Sequence, residues 1–249
     1  MAFISTERLL SKLDEHLGRN DYDSAEKHLL YWLGEARAAG DKRCELLCLN
    51  ELAGLYRKLV REKDALDTVS SLLTLIQEMG IAENIGAGTT YINCATVYKA
   101  FGKAEKAMPL FEKARAVYEK NLPYSDKRFG GLFNNMALAL VDLERFEEAY
   151  DLYNKAITVM KNAQDGDLEV AITYLNIASA KEAQLGAVES EEAVRECIEK
   201  ATELLDNHPV RDGYYAFVCE KCASVFGYFG YFVYEKELSR RASEIYERS

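Results

Sequence analysis

One stretch of this chain is written twice, and that repetition restricts the fold more than any other feature. From Tyr91 to Ala114 it reads Tyr-Ile-Asn-Cys-Ala-Thr-Val-Tyr-Lys-Ala-Phe-Gly-Lys-Ala-Glu-Lys-Ala-Met-Pro-Leu-Phe-Glu-Lys-Ala. Forty-two residues on, from Phe133 to Ala156, it returns as Phe-Asn-Asn-Met-Ala-Leu-Ala-Leu-Val-Asp-Leu-Glu-Arg-Phe-Glu-Glu-Ala-Tyr-Asp-Leu-Tyr-Asn-Lys-Ala. Each copy opens on an aromatic and continues Asn-x-Ala. Twelve residues after that Ala, a run Ala-x-x-x-(Phe/Tyr)-x-x-Ala begins. Self-similarity at a fixed period marks stacked repeats, each burying its apolar side against its neighbours.

Apolar positions recur with helical rather than alternating spacing, and only 3 prolines interrupt the 249 residues. The pattern predicts twelve helices in six antiparallel pairs, an all-α solenoid. The pairs fall at about 5–18 with 23–39, 42–59 with 63–79, 85–101 with 104–121, 127–143 with 146–162, 168–184 with 189–206, and 211–227 with 231–248. The repeats are then about 5–40, 41–82, 84–122, 126–164, 167–207 and 210–249, in a single domain spanning 1–249. Asp23 is placed to cap the second helix, and Gly40 and Gly80 to close helices in the left-handed conformation. Leu122-Pro-Tyr-Ser-Asp126 and Gln164-Asp-Gly-Asp167 link repeats. Pro109, just beyond the first turn of its helix, is expected to kink that helix or delay its start.

The register can be followed at one small residue. In the first helices it falls at Ala53, Ala95, Ala137, Ala178 and Ala223, at spacings of 42, 42, 41 and 45. In the second helices it falls at Ala25, Ala65, Ala107 and Ala149. Small side chains there let paired helices approach closely. The last two pairs depart: Gly186-Ala-Val-Glu-Ser190 lengthens one turn, and Glu235 stands where Ala is expected.

These residues resemble the tetratricopeptide repeat family: a bulky residue, Leu-Gly/Ala and Tyr, then Ala, an aromatic and Ala. The likeness is clearest in pairs two to four and covers nearly the whole chain. Its period near 42 residues resembles the long-repeat branch found in kinesin light chains and in the peptide-sensing regulators of Gram-positive bacteria. The resemblance implies a right-handed superhelix whose inner wall is made by the first helix of each pair. It also implies that asparagines on that wall hold peptide main chain.

Composition narrows the function. A net charge of −10 argues against nucleic-acid binding, which depends on Lys and Arg neutralising phosphates. No apolar run reaches the roughly 18 residues of a membrane span, and the start Met-Ala-Phe-Ile-Ser-Thr-Glu-Arg has no signal-peptide pattern. The 6 cysteines lack framework spacing and read as reduced thiols, so a cytoplasmic location is expected. Cys219-x-x-Cys222 has zinc-knuckle spacing and Cys44 with Cys48 is an i, i+4 pair, yet both fall on core positions several repeats apart. No metal or cofactor is expected. Nor is an enzyme: His16, His28 and His208 are scattered, and no strand precedes a glycine-rich phosphate loop.

Asparagine precedes the small Ala by two positions at Asn93, Asn135 and Asn176. Two positions carry it about 200° around the helix, away from the partner helix. A repeated amide offers a donor and an acceptor to an extended main chain; alternatively it bonds neighbouring first helices and orders the stack. Asn50, Asn134, Arg57, Lys58, Thr89, Thr96, Lys99, Arg128, Ser179 and Lys221 are expected on the same wall, interrupted by Glu51, Glu182 and Glu220. Such a relatively basic strip suits a segment carrying Asp, Glu or a free C-terminal carboxylate. The last turn is apolar, with Tyr228, Phe229, Tyr231 and Phe232, which leaves open a homodimer contact or local packing. A scaffold-like protein- or peptide-binding module is therefore expected. The alternatives are a sensor for a small signalling peptide that changes superhelix pitch, or a structural subunit assembling through the aromatic end.

Overall fold

A computed structural model describes residues 5–164 and 166–248. The leader reading of residues 1–4, the linker position Asp165 and the terminal Ser249 lie outside the described residues. Among the described residues there are twelve α-helices and no strand. They are α1 (Thr6–Gly18), α2 (Tyr22–Ala39), α3 (Lys42–Lys58), α4 (Glu62–Glu78), α5 (Ile85–Ala100), α6 (Ala104–Asn121), α7 (Arg128–Asp142), α8 (Phe146–Met160), α9 (Gly166–Leu185), α10 (Glu191–Asn207), α11 (Gly213–Tyr228) and α12 (Phe232–Tyr246).

The turn inside a pair is built the same way in five of the six. Its middle residue takes a left-handed backbone at Asn20, Val60, Gly102, Glu144 and Gly230. The following N–H then reaches back five residues: Asp21 to His16, Arg61 to Tyr56, Lys103 to Tyr98, Arg145 to Leu140 and Tyr231 to Phe226, each at 2.9 Å. That bond satisfies a helix-end carbonyl and sends the chain back antiparallel. Val60 is the strained member, a β-branched residue at φ 56° with its side chain 77% exposed. Val60→Gly removes the Cβ clash without losing packing, so it should stabilise the protein by about 1 kcal/mol. A lower urea midpoint in the variant would show that the turn does not store that strain.

Two local expectations are corrected. The cap of α2 is Asp21, whose carboxylate accepts from Ser24 N at 3.1 Å, because Tyr22 is already helical and Asp23 lies in the first turn. Pro109 does not delay α6, which starts at Ala104. It forfeits only the bond to the Glu105 carbonyl, and both residues are exposed, so solvent serves that carbonyl.

The small positions are all in the core. Ala25, Ala53, Ala65, Ala95, Ala107, Ala137, Ala149 and Ala178 are fully buried, and Ala223 nearly so. Glu235 is accommodated by Gly227 on α11: a Cβ there would come within 2.5 Å of the Glu235 carboxyl group. The six cysteines are buried and unbridged. Burial pushes the thiols of Cys48, Cys94 and Cys222 up to about 12, so they stay protonated at neutral pH.

The chain divides into two compact units, Met1–Asn121 and Leu122–Ser249. In the first, α3 packs on α2, α4 and α5, and α5 packs on α6. In the second, α9 packs on α7, α8, α10 and α11, and α11 packs on α12. Tyr153, on α8, has a fully buried hydroxyl with no hydrogen-bond partner among the described residues. Tyr153→Phe should therefore raise stability by about 1 kcal/mol, by removing an unsatisfied group at constant shape. A lower melting temperature would instead reveal a partner for that hydroxyl.

Candidate functional site

In the first unit the site builds up on α3. At about 100° per residue, Asn50, Glu51, Gly54, Arg57 and Lys58 fall within an arc of roughly 120°, with Gly54 in its middle. A glycine inside a helix costs about 1 kcal/mol relative to alanine. Here no packing explains it, since nothing lies within 4 Å of the position a Cβ would take. The arc is thus open at its centre and polar at its edges.

Asn50 spends its whole amide within the protein. Its Nδ2 donates to Leu46 O at 2.9 Å and to Thr90 Oγ1 at 3.2 Å, and its Oδ1 accepts from Asn93 Nδ2 at 2.9 Å. Asn93, half-buried on α5, is therefore held in orientation while one N–H and its Oδ1 remain for another partner. The second unit repeats the device. Asn176 Nδ2 on α9 donates to Asn134 Oδ1 on α7 at 3.0 Å. Asn135 turns instead to its own helix and donates to Gly131 O at 2.8 Å. The expected row of three equivalent asparagines is resolved into two cross-helix pairs, Asn50 with Asn93 and Asn134 with Asn176, plus Asn135 outside them. The inner members were legible only as wall residues. Thr90, which anchors Asn50, was not singled out.

The cations of the expected basic strip differ in what surrounds them. Arg128 is clamped by Asp126, with Nε to Oδ1 and Nη2 to Oδ2 both at 2.8 Å, and the guanidinium holds the Asp126 carboxyl down at about 2. The Lys58 ammonium sits 4.9 Å from the centre of the Tyr22 ring. Lys99 is half-buried on α5, and Lys221 is exposed on α11. Arg57 has no ion-pair or hydrogen-bond partner among the described residues, although burial lowers its pKa. Glu51 is likewise unpartnered, and burial raises its pKa with the Asp14 carboxylate adding to the effect. The remaining hydroxyls are internally committed: Thr96 to Asn93 O at 2.8 Å, Ser179 to Leu175 O at 3.2 Å, and Thr89 to Tyr118 OH at 2.9 Å, toward α6.

At the C-terminal end, the four aromatics expected to form one surface separate. Phe229 packs against the core of the second unit, and Tyr231 meets the Phe226 ring edge-on at 6.3 Å. Tyr228 is exposed, and its bond to Glu182 raises the phenol pKa. Phe232 is the exposed apolar residue, beside Val233, at a cleft of about 890 Å³ that Lys236 and Arg240 also line. Among the described residues no group of three or more His, Cys, Asp or Glu side chains could hold a metal ion. No helix is long and apolar enough to cross a membrane.

A family model described as tetratricopeptide repeat matches residues 88–124, the segment carrying Asn93 and Thr90. The kinesin light chain-related protein 3 of Arabidopsis thaliana is 24% identical over 166 residues, covering 66% of this chain and 25% of that protein. The chain thus spans about a quarter of that relative's length. Among solved structures, BtubC (BKLC) from P. vanneervenii superposes with a TM-score of 0.68 at 19% identity, covering 82% of each chain. NprR, a quorum sensor of B. thuringiensis, was solved in complex with its cognate peptide NprX. It superposes with a TM-score of 0.60 at 16% identity, covering 97% of this chain and 66% of NprR. Residues 88–124 thus match a tetratricopeptide repeat, and the chain has an all-helical repeat fold similar to that of kinesin light chain-like proteins.

Proposed function

We propose that this protein is a non-catalytic binding module, each unit of which holds extended protein or peptide chain against the faces of its own first helices. The observation that carries this reading is the pair of oriented amides. Asn93 and Asn176 each commit one N–H to a neighbouring helix and keep one N–H and one oxygen. A peptide main chain needs that donor and acceptor together. The alternative reading of these asparagines, ordering of the stack, is met by the same bonds, so the two roles coexist. Gly54 leaves room beside Asn50 for a backbone to approach. Peptide binding by NprR, which shares the fold, supports the same class of ligand. It also keeps a peptide-sensing role as the second reading. Arg57 is the groove cation best placed to favour an acidic group in that segment.

Phage-displayed random dodecapeptides provide the test. The wild type should enrich a set of sequences, and Asn93→Ala with Asn176→Ala should weaken binding of the best of them by about 10-fold or more. Gly54→Phe should block the same peptides without unfolding, because the position is open. If both variants fold and bind as the wild type does, main-chain capture on these faces is wrong.

A further inference from the structure

We infer that the face of the first unit selects a dipolar segment, one carrying an anionic and a cationic group close together, received by Arg57 and Glu51. This rests on the main-chain capture proposed above and adds the charge pattern of what is captured.

Neither Glu51 nor Arg57 has a hydrogen-bond or ion-pair partner among the described residues. Several other charged groups at the first unit's turns and helix ends are paired. Arg61 pairs with Glu26 and Asp64 at 2.7 Å, Lys42 with Glu45 and Glu78, and Lys103 with Glu62 at 2.8 Å. Those pairs are matched within the chain, whereas Glu51 and Arg57 are left over. Both also feel burial, which raises the Glu51 pKa and lowers that of Arg57. Glu51 is half-buried, where water serves its charge poorly, whereas Arg57 is exposed and reachable, so a ligand group of opposite sign can meet each.

The two charges cannot satisfy each other. Six residues separate them, about 9 Å along the axis and about 120° around it, on opposite borders of the arc centred on Gly54. An extended chain advances about 3.3 Å per residue, so 9 Å corresponds to charges within about three residues of one another. Asp14 adds a second carboxylate near Glu51 and strengthens the pole that takes a cation. A purely acidic segment would meet Arg57 but be repelled at Glu51 and Asp14. A mixed segment is attracted at both ends.

An immobilised array of decapeptides tests this, in a background of Ala, Ser and Val. Each peptide carries one Asp and one Lys, in both orders, one to five residues apart. Asp-only and Lys-only peptides serve as controls. The wild type should retain dipolar peptides at least about 5-fold better than either control, with the optimum at two to four residues' separation. Glu51→Gln should abolish the advantage conferred by Lys and Arg57→Gln that conferred by Asp. The exchange Glu51→Arg with Arg57→Glu should invert the preferred order. Equal retention of Asp-only and dipolar peptides would overturn the dipolar assignment while leaving main-chain capture intact. If Asn93→Ala with Asn176→Ala left retention of every peptide unchanged, capture itself would fall, and the dipolar assignment with it.

Discussion

Phe129→Ala is expected to destabilise the second unit by about 3–5 kcal/mol, the largest effect of any single truncation considered. Phe129 is fully buried at the start of α7 and lies between two other rings, Tyr124 at 5.0 Å and Phe133 at 5.7 Å. Tyr124 comes from the linker and Phe133 from the next turn of α7, so the ring fastens the linker to the helix it feeds. Removing it leaves a cavity that neighbouring rings cannot collapse to fill, and the loss exceeds the transfer energy of the side chain alone. Hydrogen exchange should show protection falling first in α7 and the linker. A loss below about 1 kcal/mol would mean that the site relaxes freely.

Gly88→Ala is the second large effect, and it runs against helix propensity. Alanine in place of a helical glycine ordinarily adds up to about 1 kcal/mol. At Gly88 the added carbon would stand 2.6 Å from Cε1 and 3.0 Å from Cδ1 of Tyr118, and 3.2 Å from Cγ1 of Val117. Tyr118 is almost fully buried and its hydroxyl shares a hydrogen bond with Thr89, so the ring has no free direction in which to retreat. Overpacking of this kind costs about 1–3 kcal/mol, and breaking the Thr89 bond adds about 1 more. A net loss of about 1–3 kcal/mol remains after the propensity gain. Gly86→Ala, two residues earlier with nothing within 4 Å, is the internal control and should be neutral or slightly stabilising. If both variants behave alike in urea titration, α5 and α6 are not in close contact at Gly88.

How much of this was legible in the sequence follows from what a period can encode. The 42-residue repeat carries the apolar positions, so the helix pairs and the buried alanines follow from it. What it cannot carry is an exception to itself. Asn135 stands at the same repeat position as Asn93 and Asn176, yet it bonds back to Gly131: those two donate to an Asn three residues before the small Ala of the preceding repeat, and before Ala95 that position is Ile92. Arg128 matches the wall pattern, but Asp126, two residues away in a linker of no fixed period, claims its guanidinium. Gly227 compensates Glu235 through a contact between two departures, which is visible only once both are placed. The unpartnered state of Glu51 and Arg57 is of the same kind, since the absence of a neighbour is a property of the packing around a residue.

The amide pairs also tie recognition to cohesion. The bond from Asn93 to Asn50 exists only while α5 is stacked on α3, and it is what orients the rest of the Asn93 amide. Any segment that uses that amide binds the stacked state in preference to a loosened one. Occupancy and stacking are then thermodynamically linked, each strengthening the other by the same factor. At a segment concentration 100 times its Kd this amounts to about 2.7 kcal/mol of added stability. On this reading the solenoid registers its ligand as stiffness, and a melting temperature becomes a direct gauge of occupancy.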